Sequence, residues 1–192
     1  MAEADSTRDR IVASATAEFA QHGIAGARVE RIAKAARTSK ERVYAHFGSK
    51  EKLYRFIAAR ELMAMSEAVP MDPADLPGYA VGVHDHVTKH PEQLRLMKWG
   101  QLELRSERAS VDDPFDAVVR KKIEQLRQAQ TDGVLDASWD PTDILVFVSQ
   151  LATSAFDQGS SIPGGKQREA FLAARRNAIE QAVQQLFPAS TT

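Results

Sequence analysis

Between Ser6 and Ser49 the chain carries three short apolar stripes at helical spacing, with almost no residues to spare between them. That crowding constrains the fold more than any other feature. Ser6 can cap a first helix, and Asp9 follows three residues later, where a carboxylate suits the N-terminal dipole. Ile11, Ala15 and Phe19 then recur at i, i+4 and i+8 with Val12 beside them, and Gly23 ends the run. A second helix from about Val29 to Ala36 turns Val29, Ile32, Ala33 and Ala36 inward, and after a brief turn Ser39 caps a third that reaches Phe47. Helices this short bury their stripes only against one another. Two of them joined by a tight turn make a helix-turn-helix.

Phe19, Ile32, Val43 and Phe47 suffice for the scaffold of such a unit, which leaves Lys40, Glu41, Arg42, Tyr44, Ala45 and His46 on the outside of the third helix. Cations and hydrogen-bonding groups on a short exposed helix suit phosphate oxygens and base edges. The charge distribution agrees. The net charge of −1 divides into 12 Lys and Arg against 7 Asp and Glu up to Arg60, and 13 against 19 thereafter. A basic head on an acidic body fits a polyanion partner such as double-stranded DNA.

The rest of the chain also has helical periodicity, and no segment shows the alternation of a strand. Ser49 caps a fourth helix with Leu53, Phe56, Ile57 and Ala64 as its stripe. Val69 to Gly78, with three prolines and a glycine, is the best boundary. Beyond it we expect helices near 79–89, 91–107, 114–131, 141–158 and 166–187, with Pro91, Pro114 and Pro141 at helix starts. The expected fold is all-α with about nine helices. It divides into a three-helix DNA-binding domain over residues 1–50, a connecting helix over 51–68, and a helical ligand-binding and dimerisation domain over 69–192.

Composition narrows the function. There is no cysteine, which excludes disulfides and thiolate metal sites. No apolar run approaches the roughly 20 residues of a membrane span, and the polar opening MAEADSTRDR is unlike a secretory signal, so we expect a cytoplasmic protein without a membrane partner. No phosphate-cradling glycine loop and no Ser/His/Asp set appears, so we expect neither an enzyme nor a cofactor. The segment VHDHVTKH offers an alternative. His86 and His90 share a helix face, and with His84 they could serve a metal sensor or a helical metalloenzyme, although Val83, Val87 and Leu94 already define a buried stripe there.

In the helices after Val69, Met97, Trp99, Phe115 and Phe147 are candidates to line an apolar pocket, with Gln101 and Gln150 as polar fixers. The last two helices are apolar over more than one stripe. We expect Val148, Leu151, Ala155, Arg175, Ala178, Ile179, Ala182 and Val183 to contribute to a four-helix interface between two copies.

The run from Thr7 to Tyr54 resembles the N-terminal domain of the TetR (tetracycline-repressor) family of regulators. Arg8, Ile11, Ala15, Phe19, Gly23, Val29, Ile32, Ala33, Ala36, Ser39, Val43, Tyr44, His46, Phe47, Ser49, Lys50 and Leu53 carry the likeness without a gap. The resemblance implies a homodimer bound to a pseudo-palindromic operator and released by a partly apolar small-molecule effector. It also implies that Lys40, Arg42, Tyr44, His46 and Lys50 face DNA. Tyr44 and Lys50 would hold phosphates, while Lys40, Glu41, Arg42 and Ala45, in the helix opened by Ser39, would occupy base-reading positions. Two positions depart from the family pattern. Ala27 and Arg28 stand where Thr or Ser usually caps the second helix and touches phosphate, and Arg28 can replace the phosphate contact but not the cap. Arg37 stands where glycine usually makes the turn, and we expect the turn to adjust modestly while Arg37 adds a cation near DNA.

Overall fold

The computed structural model of the chain describes residues 6–104, 114–156 and 163–188. Among the described residues the regular elements are helical: α1 (Thr7–Gly26), α2 (Val29–Ala35), α3 (Lys40–Phe47), α4 (Lys50–Ala68), α5 (Leu76–Lys89), α6 (Pro91–Glu103), α7 (Pro114–Thr131), α8 (Pro141–Thr153) and α9 (Lys166–Leu186), with one 3-10 turn at Pro73–Asp75. The all-α fold expected from the periodicity is the fold observed. No helix among the described residues is long and apolar enough to cross a membrane.

The chain forms two compact units. The first comprises residues 1–64 and 90–116; the second comprises 65–89 and 117–192. The compact units do not follow a division at Val69, because α6, expected with the second domain, packs in the first.

Ile11, Ala15 and Phe19 of α1, Ile32 of α2, Val43 of α3, Leu53 and Ile57 of α4 and Leu96 of α6 make the core of the first unit. Ser6 accepts the Asp9 N–H (3.2 Å) and Ser39 the Arg42 N–H (3.2 Å), the two N-caps that start α1 and α3. Gly23 does not end α1. It kinks it, with φ +70° and ψ −177°, a conformation that costs any other residue about 1–3 kcal/mol. The kink lets α6 lie close along α1. Trp99 donates its indole N–H to the Ala20 carbonyl (3.4 Å), and Glu103 accepts the Ala25 N–H (2.6 Å). A Cβ at Gly23 would sit 3.0 Å from the Trp99 ring and run into the Glu103 carboxylate. Tyr54 of α4, edge-on to Phe19 at 5.4 Å, donates its buried hydroxyl to the Leu96 carbonyl (2.6 Å).

In the second unit α5 packs against α8 and α9. Its core is Leu76, Val83 and Val87 of α5 with Ile144, Val148 and Ala152 of α8 and Ile179 and Val183 of α9. Trp139 packs edge-on against Phe147 (5.8 Å) and Phe187 (5.2 Å) just before α8.

Candidate nucleic-acid interface

The seat of α3 is built by contacts spread over the first unit. Val43 is buried, and Phe47 packs on Phe56 at 5.6 Å between centroids. The Arg8 guanidinium lies 4.6 Å from the Phe56 ring centroid and 5.7 Å from that of Phe47, tying the start of α1 to the end of α3. With one face committed, Lys40, Glu41, Arg42, Tyr44, Ala45 and His46 are all exposed. The short helix presents a row of polar groups and one small methyl on a surface held from behind.

The turn before α3 keeps its left-handed geometry, contrary to the modest adjustment expected. Arg37 has φ +53°, the one non-glycine residue with positive φ among those described. Its N–H bonds to the Lys34 carbonyl (3.2 Å) and that of Thr38 to the Ala33 carbonyl (2.9 Å), the two bonds of a Schellman ending. Arg10 braces the same corner, donating to the Ala36 carbonyl (3.2 Å). The hydrogen bonds hold the turn, and Arg37 accepts the strain. Arg37→Gly should therefore relieve about 1 kcal/mol. That would raise Tm in a thermal melt by about 2–4 °C for a chain of this size; a fall in Tm would mean that the guanidinium itself supports the turn.

The missing cap of α2 is replaced from a distance. Arg28 at the N-cap makes no side-chain cap, but its N–H is held by the Glu18 carboxylate of α1 (2.9 Å), which also takes the Arg31 Nε–H (2.7 Å). Partial burial alone would raise the Glu18 carboxyl, but the bonds from Arg31 and the Arg28 backbone outweigh it and keep the group below the usual carboxylate range. Sequence reasoning missed Glu18, because ten residues separate it from the backbone it serves.

Beside α3 lies an open cleft of about 330 Å³, lined by Ala27, Arg28, Val29, Glu30, Tyr44, Ser49, Lys50 and Glu51. It brings together Arg28 at the start of α2, Tyr44 of α3 and Lys50 at the start of α4. The Lys50 ammonium donates to the Ala27 carbonyl (3.2 Å) and at 3.4 Å to that of Ala25, which places it at the cleft. Lys40 forms an exposed ion pair with Glu30 and lies 5.9 Å from the Tyr44 ring centroid. The hydrogen bond holds Glu30 below the usual carboxylate range and Lys40 above that of lysine. Glu30 is a second residue the sequence alone did not single out. As an exposed pair it is weak enough to be exchanged for another anion.

Met97 and Phe115 pack against the core of the first unit, Trp99 lies on α1, and Gln101 is exposed on α6. Phe147 and Gln150 belong to the second unit and are exposed. The pocket candidates are thus divided between the units. Of the residues expected between two copies, Val148, Ala155, Ile179 and Val183 are at most 2% exposed, because the middle of each apolar face closes the chain's own second core. Leu151, Arg175 and Ala182 are half-buried, and Ala178 is exposed.

The histidine segment does not converge. His84 is 1% exposed and bonds through Nδ1 to the Ala152 carbonyl (3.2 Å), while Asp85 pairs with Arg176 (3.3 Å). Among the described residues no group of three or more potential ligands is placed to hold a metal.

Comparison with known proteins agrees with the first unit's geometry. Residues 11–57 match the family described as bacterial regulatory proteins, tetR family, and residues 75–185 match the tetracyclin repressor-like C-terminal domain. The HTH-type transcriptional repressor SCO4008 of Streptomyces coelicolor is 33% identical over 79% of either chain. The HTH-type transcriptional repressor AcnR of Corynebacterium glutamicum is 27% identical over 81% of this chain and 87% of its own. Among solved structures, the transcriptional regulator SCO4942 of Streptomyces coelicolor superposes with a TM-score of 0.72 at 47% identity, covering 95% of this chain and 99% of that one. With its helix-turn-helix and its C-terminal helical domain both matched, the chain belongs to the TetR family of DNA-binding transcriptional regulators.

Proposed function

We propose that the protein is a homodimeric repressor that holds a two-fold operator through α3 and leaves it when a small molecule binds the second unit. The observation that carries the DNA half is the exposed row from Lys40 to His46 over a buried Val43, with Arg28, Tyr44 and Lys50 gathered at one cleft. In this reading Arg42, Lys40, Glu41 and Ala45 read base edges, and Arg or Lys favours guanine O6 and N7. Tyr44, Lys50, Arg28 and Arg37 hold phosphates, and the Lys40–Glu30 pair opens as DNA approaches.

Two copies are needed to reach half-sites about 34–36 Å apart. The surface that supports pairing is the outer edge of the last two helices and not their centre. On α9, Phe171, Arg175, Ala178, Ala182 and Leu186 recur every three or four residues, and Leu186 is 41% exposed; on α8, Phe147 is 42% exposed with Leu151 beside it. Arg175 adds a specific demand. Among the described residues its Nε is buried without an acceptor, while its guanidinium lies over Phe171. A donor of that kind is costly until a partner supplies an oxygen.

A ligand shifts DNA affinity only through its different affinities for two arrangements of the protein. The chain passes between the units after Ala64, Lys89 and Asp116. The α4 helix is therefore one of three covalent routes by which the second unit's state can reach the head.

Sedimentation tests the dimer. The wild type should sediment at twice the chain mass of 21.2 kDa, and Phe147→Asp with Leu186→Glu should shift it to monomer at the same concentration, without loss of helical content. A monomeric wild type, alone and on DNA, would contradict the proposal.

A further inference from the structure

Among its described residues the second unit buries a lysine without giving it a counter-charge. Lys122 of α7 is 9% exposed and Tyr79 of α5 is 5% exposed. The Lys122 ammonium donates to the Tyr79 hydroxyl (2.8 Å), and its nitrogen lies 5.1 Å from the ring centroid. An ammonium has three donors, and a phenol is neutral. Among the described residues no carboxylate reaches the pair. Burial alone pushes the ammonium below the ordinary lysine range and the phenol up to about 12, with no neighbouring charge contributing to either. A cation in such a place is expensive unless something pairs it. Other acids of this unit are engaged elsewhere: Asp85 with Arg176, Asp136 with the Ser138 N–H, and Asp140 with the Thr142 N–H.

We propose that Lys122 and Tyr79 are the polar anchor of the effector site, and that the effector is a small organic carboxylate with an apolar body. The proposal rests on the reading of the second unit as the effector-binding unit. A carboxylate supplies the missing charge and accepts from Lys122. The Tyr79 hydroxyl, which now accepts from Lys122, keeps its own proton to donate to the second carboxylate oxygen. Leu76 and Val83 lie one turn to either side of Tyr79 on α5, and Leu126 lies one turn beyond Lys122 on α7; all three are buried. Such surroundings favour an apolar body and a single charge over a doubly charged phosphate, whose desolvation costs more.

The test uses the full chain and defined probes: straight-chain carboxylates from butanoate to dodecanoate, benzoate and phenylacetate, each with its matched primary amide and amine. Thermal melts and release from the operator are both followed. At least one carboxylate should raise Tm and weaken operator binding about fivefold or more, the usual size of coupling between two sites, while its amide and amine, which lack the charge that Lys122 would pair, do not. Lys122→Met should abolish that response and leave operator affinity without ligand unchanged. Should Lys122→Met fold poorly, Tyr79→Phe serves in its place and should weaken the same carboxylate about threefold to tenfold, the worth of one neutral donor. Equal responses to amide or amine, a full response in Lys122→Met or Tyr79→Phe, or no Tm response to any carboxylate would overturn the anion site. The melts need no DNA, so a failure of operator binding alone would strike only the regulator reading.

Discussion

Arg42→Ala is expected to weaken the operator complex by about 1–3 kcal/mol for each copy that loses a base contact, and the loss should concentrate at particular base pairs. Arg42 is exposed on α3, its backbone is fixed by the Ser39 cap, and Val43 beside it is locked in the core. In the proposed reading the guanidinium meets a groove from a backbone held in place. Lys50→Ala should behave differently. Its ammonium sits at the cleft with Tyr44 and Arg28, where a phosphate contact carries no sequence information. Affinity should fall for all sequences alike, and the salt dependence should flatten by about 0.9 per phosphate no longer neutralised. Anisotropy titrations on the operator and on single-base variants over a range of salt separate the two outcomes. Equal, sequence-blind losses from both substitutions would remove the division of roles.

The second large effect is on stability. Phe19 is 0% exposed, packs edge-on against Tyr54, and sits where α1, α4 and α6 meet in the first unit. Phe19→Ala should cost about 3–5 kcal/mol in urea unfolding, from lost transfer energy and the cavity left behind. That is a large share of the roughly 5–15 kcal/mol that holds a domain folded. DNA binding should be lost with it on warming, because the same core seats α3. A loss below about 1 kcal/mol would mean that the site collapses around the smaller side chain.

The first unit was legible in the sequence because its determinants are local. Ser6 and Ser39 cap where they were expected, the stripe through Ile11, Ala15 and Phe19 is fully buried, and Pro91 and Pro114 open helices, as Pro141 does in the second unit. The departure at Arg37 was visible too, but its outcome was not. Whether a turn yields or strains depends on hydrogen bonds from Arg37 and Thr38 back to α2, and on Arg10 from α1. What escaped the sequence is long-range. Glu18 and Glu30 act on groups ten residues away, and α6 joins the first unit because Trp99 and Glu103 find α1 some 79 and 78 residues back. The wide apolar faces of α8 and α9 announced a surplus without saying which edge was spare. Only packing shows that Val148, Ala155, Ile179 and Val183 are used internally and that Phe147 and Leu186 are left over.

Whether the purified protein selects a sequence tests the dimeric DNA-binding regulator most directly. Genomic DNA fragments should be bound at near-physiological salt with competitor DNA and then sequenced. The expected result is enrichment of a pseudo-palindrome whose half-sites lie about one helical turn apart, the spacing two copies of α3 would impose. A well-folded protein that enriches no sequence, or only an isolated half-site, would contradict it.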